Sequence, residues 1–303
     1  MTSPHTSASI EEVQIGDLPC WRLHTEWADA LITRQGAQLL SYQPHGQPPV
    51  VWLSEQAEYK QGQPLRGGVP VCWPWFGDLD RNPEAVRAMV ADPVGAPAHG
   101  LVRSLDWEIG DATCETGVVV IDFHVSLANG TGHWAHPAEL MLRCRLGKSL
   151  ELELSTHNFG DTPLSISQAL HTYFAVSDSR QVSLSGVENA QYVETLANWE
   201  ERLQQGPVHI TGETDRIYLG LAEPLVINDP AWKRAIHIKA SNSNSAVVWN
   251  PWVDKSARLS QFADDAWQRM LCVETARVWN DLLVVAPGTT ETMAVEIWST
   301  PMA

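Results

Sequence analysis

Two ionisable side chains stand where the surrounding sequence reads as buried strand. In "QALHTYFAVSD" (168–178) His171 keeps company with Leu170, Tyr173 and Phe174, and in "LCVETARV" (271–278) Glu274 sits between Val273 and Thr275, just after Cys272. A carboxylate in apolar surroundings is costly to desolvate unless it is hydrogen-bonded, and burial drives its pKa upward. Imidazole is the side chain whose ordinary pKa lies closest to neutrality. A histidine and a glutamate so placed are the residue types that general acid–base proton transfer requires. Each has a structural alternative: a core histidine with a satisfied hydrogen bond, and a glutamate paired with Arg269 or Arg277. Read as a strand, residues 164–174 put Leu164, Ile166, Gln168, Leu170, Thr172 and Phe174 on one face. Ser165, Ser167, Ala169, His171 and Tyr173 share the other. The histidine thus lies among small or polar side chains, as the floor beneath a small polar ligand would.

Three further segments are polar or oddly composed. "PLRGGVPVCWPWFGDLD" (64–80) places Arg66 before Gly67 and Gly68, in a proline-stiffened stretch. The glycines allow the backbone to come close to a ligand, and Arg66 is either a guanidinium fork aimed from a rigid loop or a surface arginine beside a turn. "APAHGLVRSLDWEI" (96–109) sets His99 and Arg103 around a glycine ahead of a strand, where a solvated arginine is the plain alternative. "GHWAHPAEL" (132–140) has His133 and His136 three apart, but Pro137 breaks a helix there and a third ligand is missing, so no metal site is expected. The chain contains no GxGxxG, P-loop, GxSxG or HExxH motif, which leaves nucleotide, serine-hydrolase and zincin chemistry without support.

Charge sharpens the meaning of the arginines. Thirty-six acidic against twenty basic residues give a net charge of −16. Such a field repels nucleic acid and anionic membrane, so no partner of either kind is expected, and an anionic ligand would need a local basic island. The five cysteines (20, 72, 114, 144 and 272) form no CxxC pair and are odd in number. They read as reduced and mostly buried thiols. No signal peptide and no apolar run of about 18 residues is visible, so a cytoplasmic protein is expected.

The elements that must hold these residues are short strands. "VVVIDFHVSL" (118–127), "ELMLRCRL" (139–146), "SLELELSTHN" (149–158), "SAVVWNPW" (245–252) and "ETMAVEIWS" (291–299) are separated by Gly, Pro, Asn and Asp. Leu150, Leu152 and Leu154 alternate with Glu151, Glu153 and Ser155, the period of a half-buried antiparallel strand. Many such strands with turns between them predict an all-β antiparallel sandwich with few short helices. One begins within "NPEAVRAMV" (82–90), with Asn82 as its cap and Pro83 in the first turn. We expect a flexible N-terminus over 1–10 and a single β-sandwich domain over 11–303. The 14 tryptophans suit either sugar stacking or a sandwich core.

At these segments the chain resembles the glucose-6-phosphate 1-epimerases, the hexose-6-phosphate mutarotases of the galactose mutarotase-like β-sandwich superfamily. "RGGVPVCWPWFG", "HGLVR", "ALHTYF", "TDRIY" (214–218), "VVWNPWVDKS" (247–256) and "CVETARV" fall in family order over residues 66–278. The resemblance implies His171 and Glu274 as the catalytic pair, and Arg66, His99, Arg103 and Asp215 as substrate-binding residues. It departs at Ala98, where relatives often carry a substrate-contacting glutamine before the "HG".

The implied reaction is interconversion of the α and β anomers of a hexose 6-phosphate. A proton goes to the ring oxygen while another leaves the C1 hydroxyl, the ring opens, and the aldehyde closes on its other face. His171 would be the acid and Glu274 the base, several ångströms apart and facing the sugar separately. No metal, nucleotide or redox cofactor is needed. Arg66 and Arg103, with Lys255 or Arg258 near them, would meet the phosphate. A monomer is expected. Two other readings remain: an aldose 1-epimerase acting on a neutral hexose, and a non-catalytic sugar-binding or sensing sandwich.

Overall fold

The alternation of Leu150, Leu152 and Leu154 with Glu151 and Glu153 is realised in a strand, Leu150–Asn158, whose leucines are fully buried. Its glutamates stand opposite Arg145 and Arg143 across the ladder to Ala138–Leu146. These two strands sit within a nine-stranded sheet of the computed structural model, which describes residues 8–128 and 132–302. That sheet also contains Val118–Ser126, Arg234–Ser241 and the long Thr290–Pro301 strand. A four-stranded meander (Ser9–Ile15, Leu18–His24, Ala28–Thr33, Leu39–Pro44) lies at the N-terminal end of the chain. Ser9 and Ile10, within the start expected to be flexible, already pair with His24 and Leu23; residues 1–7 lie outside the described residues.

The sheet that matters for chemistry has eight strands. Along its path run Glu200–Leu203, Gln191–Glu194, Thr214–Leu219, Ser245–Asn250, Met270–Arg277, Gln168–Leu170 and Val71–Cys72, with Tyr173–Ala175 also paired to Met270–Arg277. Its ladders are antiparallel. One continuous core takes side chains from these three sheets and from the two-stranded pairing of Leu164–Ile166 with Leu283–Val285, including Ile32, Leu152, Ile297, Leu170, Phe174, Leu271, Val273 and Ile166. This is the all-β sandwich the sequence predicts, with helices of no more than five residues among the described residues.

The eight-stranded sheet is covered on both faces. Leu271 and Val273 point into the shared core, while Cys272 packs on the other side with Tyr173 and Trp249. A strand buried on both faces loses its polar alternation, which is why its first half, Met270–Val273, reads as an unbroken apolar run.

Local differences from the sequence reading have physical causes. The continuous strand expected over 164–174 is broken into Leu164–Ile166, Gln168–Leu170 and Tyr173–Ala175, leaving His171 and Thr172 in a gap. The helix near residue 84 is a single turn, Glu84–Arg87. Asn82 does not cap it, because its side-chain amide donates instead to the carbonyls of Phe76 and Asp78. All five cysteines are free thiols and only Cys114 is exposed. No helix among the described residues is long and apolar enough to cross a membrane.

Candidate active site

The gap at residues 171–172 is what brings His171 to Glu274. Leu170 pairs with Thr275 and Tyr173 with Cys272, so the interruption lies opposite Val273 and Glu274. Its backbone is held by His171 N–H donating to Pro70 O at 3.0 Å and Val273 N–H donating to Thr172 O at 3.2 Å. His171 Nε2 then stands 3.5 Å from Glu274 Oε1. The pair is closer than the separate placement expected from the sequence, because the gap that carries His171 lies directly opposite Glu274 on the neighbouring strand. Glu274 is 1% exposed and His171 8%. The alternative partners of Glu274 are engaged elsewhere: Arg277 with Asp281, and Arg269 with Glu55 and Asp265.

Neighbouring strands supply the rest of the floor. Val247 lies opposite Glu274, and Asp215 lies opposite Trp249, so one face of three adjacent strands carries Asp215, Trp249 and Glu274. Trp249 is positioned by the motif around it. Asn250 donates to the carbonyls of Trp267 and Met270 and accepts from Trp252 N–H, tying the strand end to the short Trp252–Ser256 helix that carries Lys255. The His171 ring stacks on Tyr173 at 4.8 Å between centroids. A cavity of about 310 Å³ opens over this floor, and His171, Glu274, Asp215, Trp249, Arg66 and His99 line it.

A second cavity, of about 330 Å³, shares the wall made by Arg66, His99, His171 and Tyr173, and it adds Arg103. The two arginines therefore meet at one partition, although Arg103 does not line the chamber that holds Glu274. One of its guanidinium nitrogens donates to Ala98 O at 2.7 Å. Lys255 lines the first cavity, paired with Glu213 at 3.1 Å. Arg258, the other cation considered from sequence, is exposed and lines neither.

Gly67 and Gly68 serve the protein's own backbone rather than close approach to a ligand. A Cβ on Gly67 (φ +104°) would lie 2.7 Å from Leu53 Cα, and one on Gly68 (φ +67°) would run into the Leu39 carbonyl. The packed loop donates Gly68 N–H to Trp52 O and accepts Ser54 N–H at Arg66 O. The chain leaving Arg66 is thus fixed by two backbone hydrogen bonds to the 52–54 segment.

Burial dominates the electrostatics. It pushes Glu274 well above the carboxylate range, with Asp215 adding to the effect. Burial also holds His171 well below the usual imidazole range, assisted by His99, Arg66 and Arg103. His99 is depressed to about 3 by burial, then by Arg103 and Arg66, and is neutral at physiological pH. Its Nδ1 accepts Gly77 N–H at 3.3 Å, which leaves the ring proton on Nε2 as a donor. Burial lifts Asp215 to about 6 against the pull of Lys255. His171, Cys272 and Glu274 bring possible metal-ligating atoms within 4.8 Å of one another. The Cys272 thiol, however, is raised well above its usual range by burial and by Glu274, which disfavours the thiolate a metal would take. His133 and His136 are held by the carbonyls of Asp92 and Met89.

Sequence reasoning missed the outer lip. Trp199 and Trp279 stack at 5.3 Å, with the Arg81 guanidinium 5.6 Å above the Trp199 ring. All three line the first cavity. They come from three distant parts of the chain, the Leu79–Arg81 and Trp279–Asp281 turns of 3-10 helix and the turn holding Trp199, and nothing in the local sequence sets the two tryptophans apart from core ones.

Residues 19–298 match the sequence family described as Aldose 1-epimerase. An Escherichia coli K12 protein named "Putative glucose-6-phosphate 1-epimerase" is 36% identical over 244 residues, 80% of this chain and 77% of that protein. The crystal structure of a putative mutarotase from Salmonella typhimurium superposes with a TM-score of 0.86 at 28% identity, covering 99% of this chain and 96% of that one. A galactose mutarotase-like protein from Clostridium acetobutylicum, 12% identical, shares the fold with a TM-score of 0.78 over 98% of this chain and 99% of its own.

Proposed function

Since this chain belongs to the aldose 1-epimerase family, an isomerase family, we propose that it interconverts the anomers of a hexose 6-phosphate, with His171 and Glu274 as its acid–base pair. The observation that carries this reading is the opposition of the two side chains, 3.5 Å apart, on the floor of a cavity whose wall continues to Arg66 and Arg103. A sugar laid over the pair presents its ring oxygen and C1 hydroxyl to both groups at once. The proton that burial keeps on the Glu274 carboxyl passes to His171 Nε2, 3.5 Å away. The imidazolium so formed gives a proton to the ring oxygen as the Glu274 carboxylate takes the proton of the C1 hydroxyl. The C1–O5 bond breaks to leave the open-chain aldehyde. Rotation about C1–C2 presents the other carbonyl face, and closure returns both protons with the roles exchanged. Because His99 is neutral and protonated on Nε2, it serves as a fixed donor to a sugar oxygen.

The substrate's charge fits the depressed basicity of His171. Arg66 and Arg103 contribute to holding its imidazolium form in check. A phosphate carrying nearly two negative charges offsets them when it pairs with those guanidiniums. Phosphate binding then favours the protonated histidine that ring opening requires.

A neutral hexose is the second reading, favoured by the separation of Arg103 from the chamber holding Glu274 and by its bond to Ala98. The deciding experiment is saturation-transfer NMR on the anomeric protons of glucose 6-phosphate and of glucose, with the uncatalysed exchange subtracted. Catalysis of the phosphorylated sugar at least tenfold more efficient supports the first reading. Equal kcat/KM values on the two sugars refute it.

A further inference from the structure

A cluster on the four-stranded sheet lies outside everything described above. His24 ends the Leu18–His24 strand and stands directly opposite Asp29 in the ladder to Ala28–Thr33. Asp29 in turn pairs with Gln43, and His45 follows two residues later. His24 Nδ1 approaches Asp29 Oδ1 to 2.6 Å, and His45 Nε2 approaches Asp29 Oδ2 to 3.1 Å. One possible ligand atom from each residue lies within 4.8 Å of the others. All three side chains are between 32 and 52% exposed, so an ion can reach them.

The tautomer of His45 supplies an independent argument. Its Nδ1 lies 3.1 Å from the Glu26 carbonyl oxygen, which can only accept, so Nδ1 carries the hydrogen. In the neutral ring Nε2 is then a lone pair aimed at a carboxylate oxygen. Two lone pairs do not hold that geometry without positive charge between them, which is either a second ring proton or a metal ion. A ring N–H given to a backbone carbonyl is also how metal-binding histidines are oriented. The His45 backbone is anchored as well, its N–H donating to Trp27 O at 2.8 Å. His133 and His136 also give a ring nitrogen to a carbonyl, but no carboxylate joins them in a ligating group among the described residues.

We propose that His24, Asp29 and His45 bind a divalent transition-metal ion, zinc in particular, with solvent completing the coordination. Two imidazoles and one carboxylate suit zinc and its neighbours rather than calcium or magnesium, which take oxygen ligands. The net charge of −16 draws cations toward the surface. Bound there, the ion clips the ends of three consecutive strands together.

The test is isothermal titration of zinc chloride into the untagged, full-length chain, with Asp29→Asn and His45→Gln variants alongside. Wild type is expected to take up one equivalent that calcium does not displace, and each variant to bind it at least about tenfold more weakly. Anomerase turnover should be unchanged in both variants, and zinc should raise the melting temperature of wild type alone. Absence of stoichiometric uptake overturns the proposal and leaves a proton as the shared charge. Uptake undiminished in both variants also overturns it, assigning zinc to His171, Cys272 and Glu274.

Discussion

Glu274→Gln keeps the size of the side chain while removing its charge, so it isolates what the carboxylate does. Burial leaves the resting pair neutral, so the charges arise when the proton moves to His171 in the substrate complex. There, at 3.5 Å and an effective dielectric of about 20, two opposite unit charges attract by about 5 kcal/mol. Each 1.36 kcal/mol is a factor of about ten in a protonation equilibrium, so the substitution lowers the population of His171 imidazolium by roughly 10³. The variant therefore loses the base outright and starves the acid. Turnover should fall by at least about 10³-fold, within the range each arm of acid–base catalysis contributes, while KM changes little. Two arms that act as one unit are not additive. His171→Ala/Glu274→Gln should therefore be no more than about tenfold slower than the worse single variant. Saturation transfer between the anomeric protons of the hexose phosphate measures both. A Glu274→Gln enzyme that retains more than about a tenth of wild-type turnover, or a double variant that multiplies the two losses, refutes the coupling.

Arg66→Ala should raise KM for the hexose 6-phosphate roughly 10- to 150-fold, the worth of a charge-assisted hydrogen bond, and leave kcat within a few-fold; an unchanged KM in the same exchange assay contradicts a phosphate contact. Asp215, raised from 3.8 to about 6 by burial, holds its proton more tightly in the folded than in the unfolded chain. The folded state then binds more protons between about pH 4 and pH 6, and stability falls as pH rises through that window. Urea melts of Asp215→Asn should lack this fall, and an identical slope in both proteins counts against it. Gly67→Ala puts a methyl 2.7 Å from Leu53 Cα at a φ of +104°, so it should destabilise by about 1–3 kcal/mol; an unshifted urea midpoint contradicts that account.

Much of the fold was legible because its strands repeat a simple period. Leu150, Leu152 and Leu154 alternate with charged partners and end up buried just as the pattern predicts. Ser9–Ile15 and Glu108–Glu115 were harder to see, since they lie at sheet edges with mixed or wholly exposed patterns. The break at His171 left no local mark, because what sets it is hydrogen bonding to Pro70 and Val273 from distant parts of the chain. The second cavity is likewise a matter of tertiary packing: Gln63, Arg103 and Ser260 meet there, and none of them is near another in sequence. His24, Asp29 and His45 show no recognisable spacing, because a cross-strand pair and a turn bring them together.

Register is the feature that holds the chemistry in place. In the Met270–Arg277 strand, Leu271 and Val273 enter the shared core while Cys272 joins Tyr173 and Trp249 on the opposite side. Glu274 follows Cys272 by two residues and so faces the cavity. A slip of one residue would carry the carboxylate into the leucine and valine layer and lift Val273 into its place. Pairing of Glu274 with Val247, Val273 with Val248 and Cys272 with Trp249 forbids that slip on one side. Pairing of Thr275 with Leu170 and Cys272 with Tyr173 forbids it on the other. His171 rises from the gap between those last two contacts, so the ladders that fix the glutamate also fix its partner. Apolar burial on one face thereby determines proton-transfer geometry on the other, and the 3.5 Å approach of the two groups follows from strand pairing rather than from any bond between them.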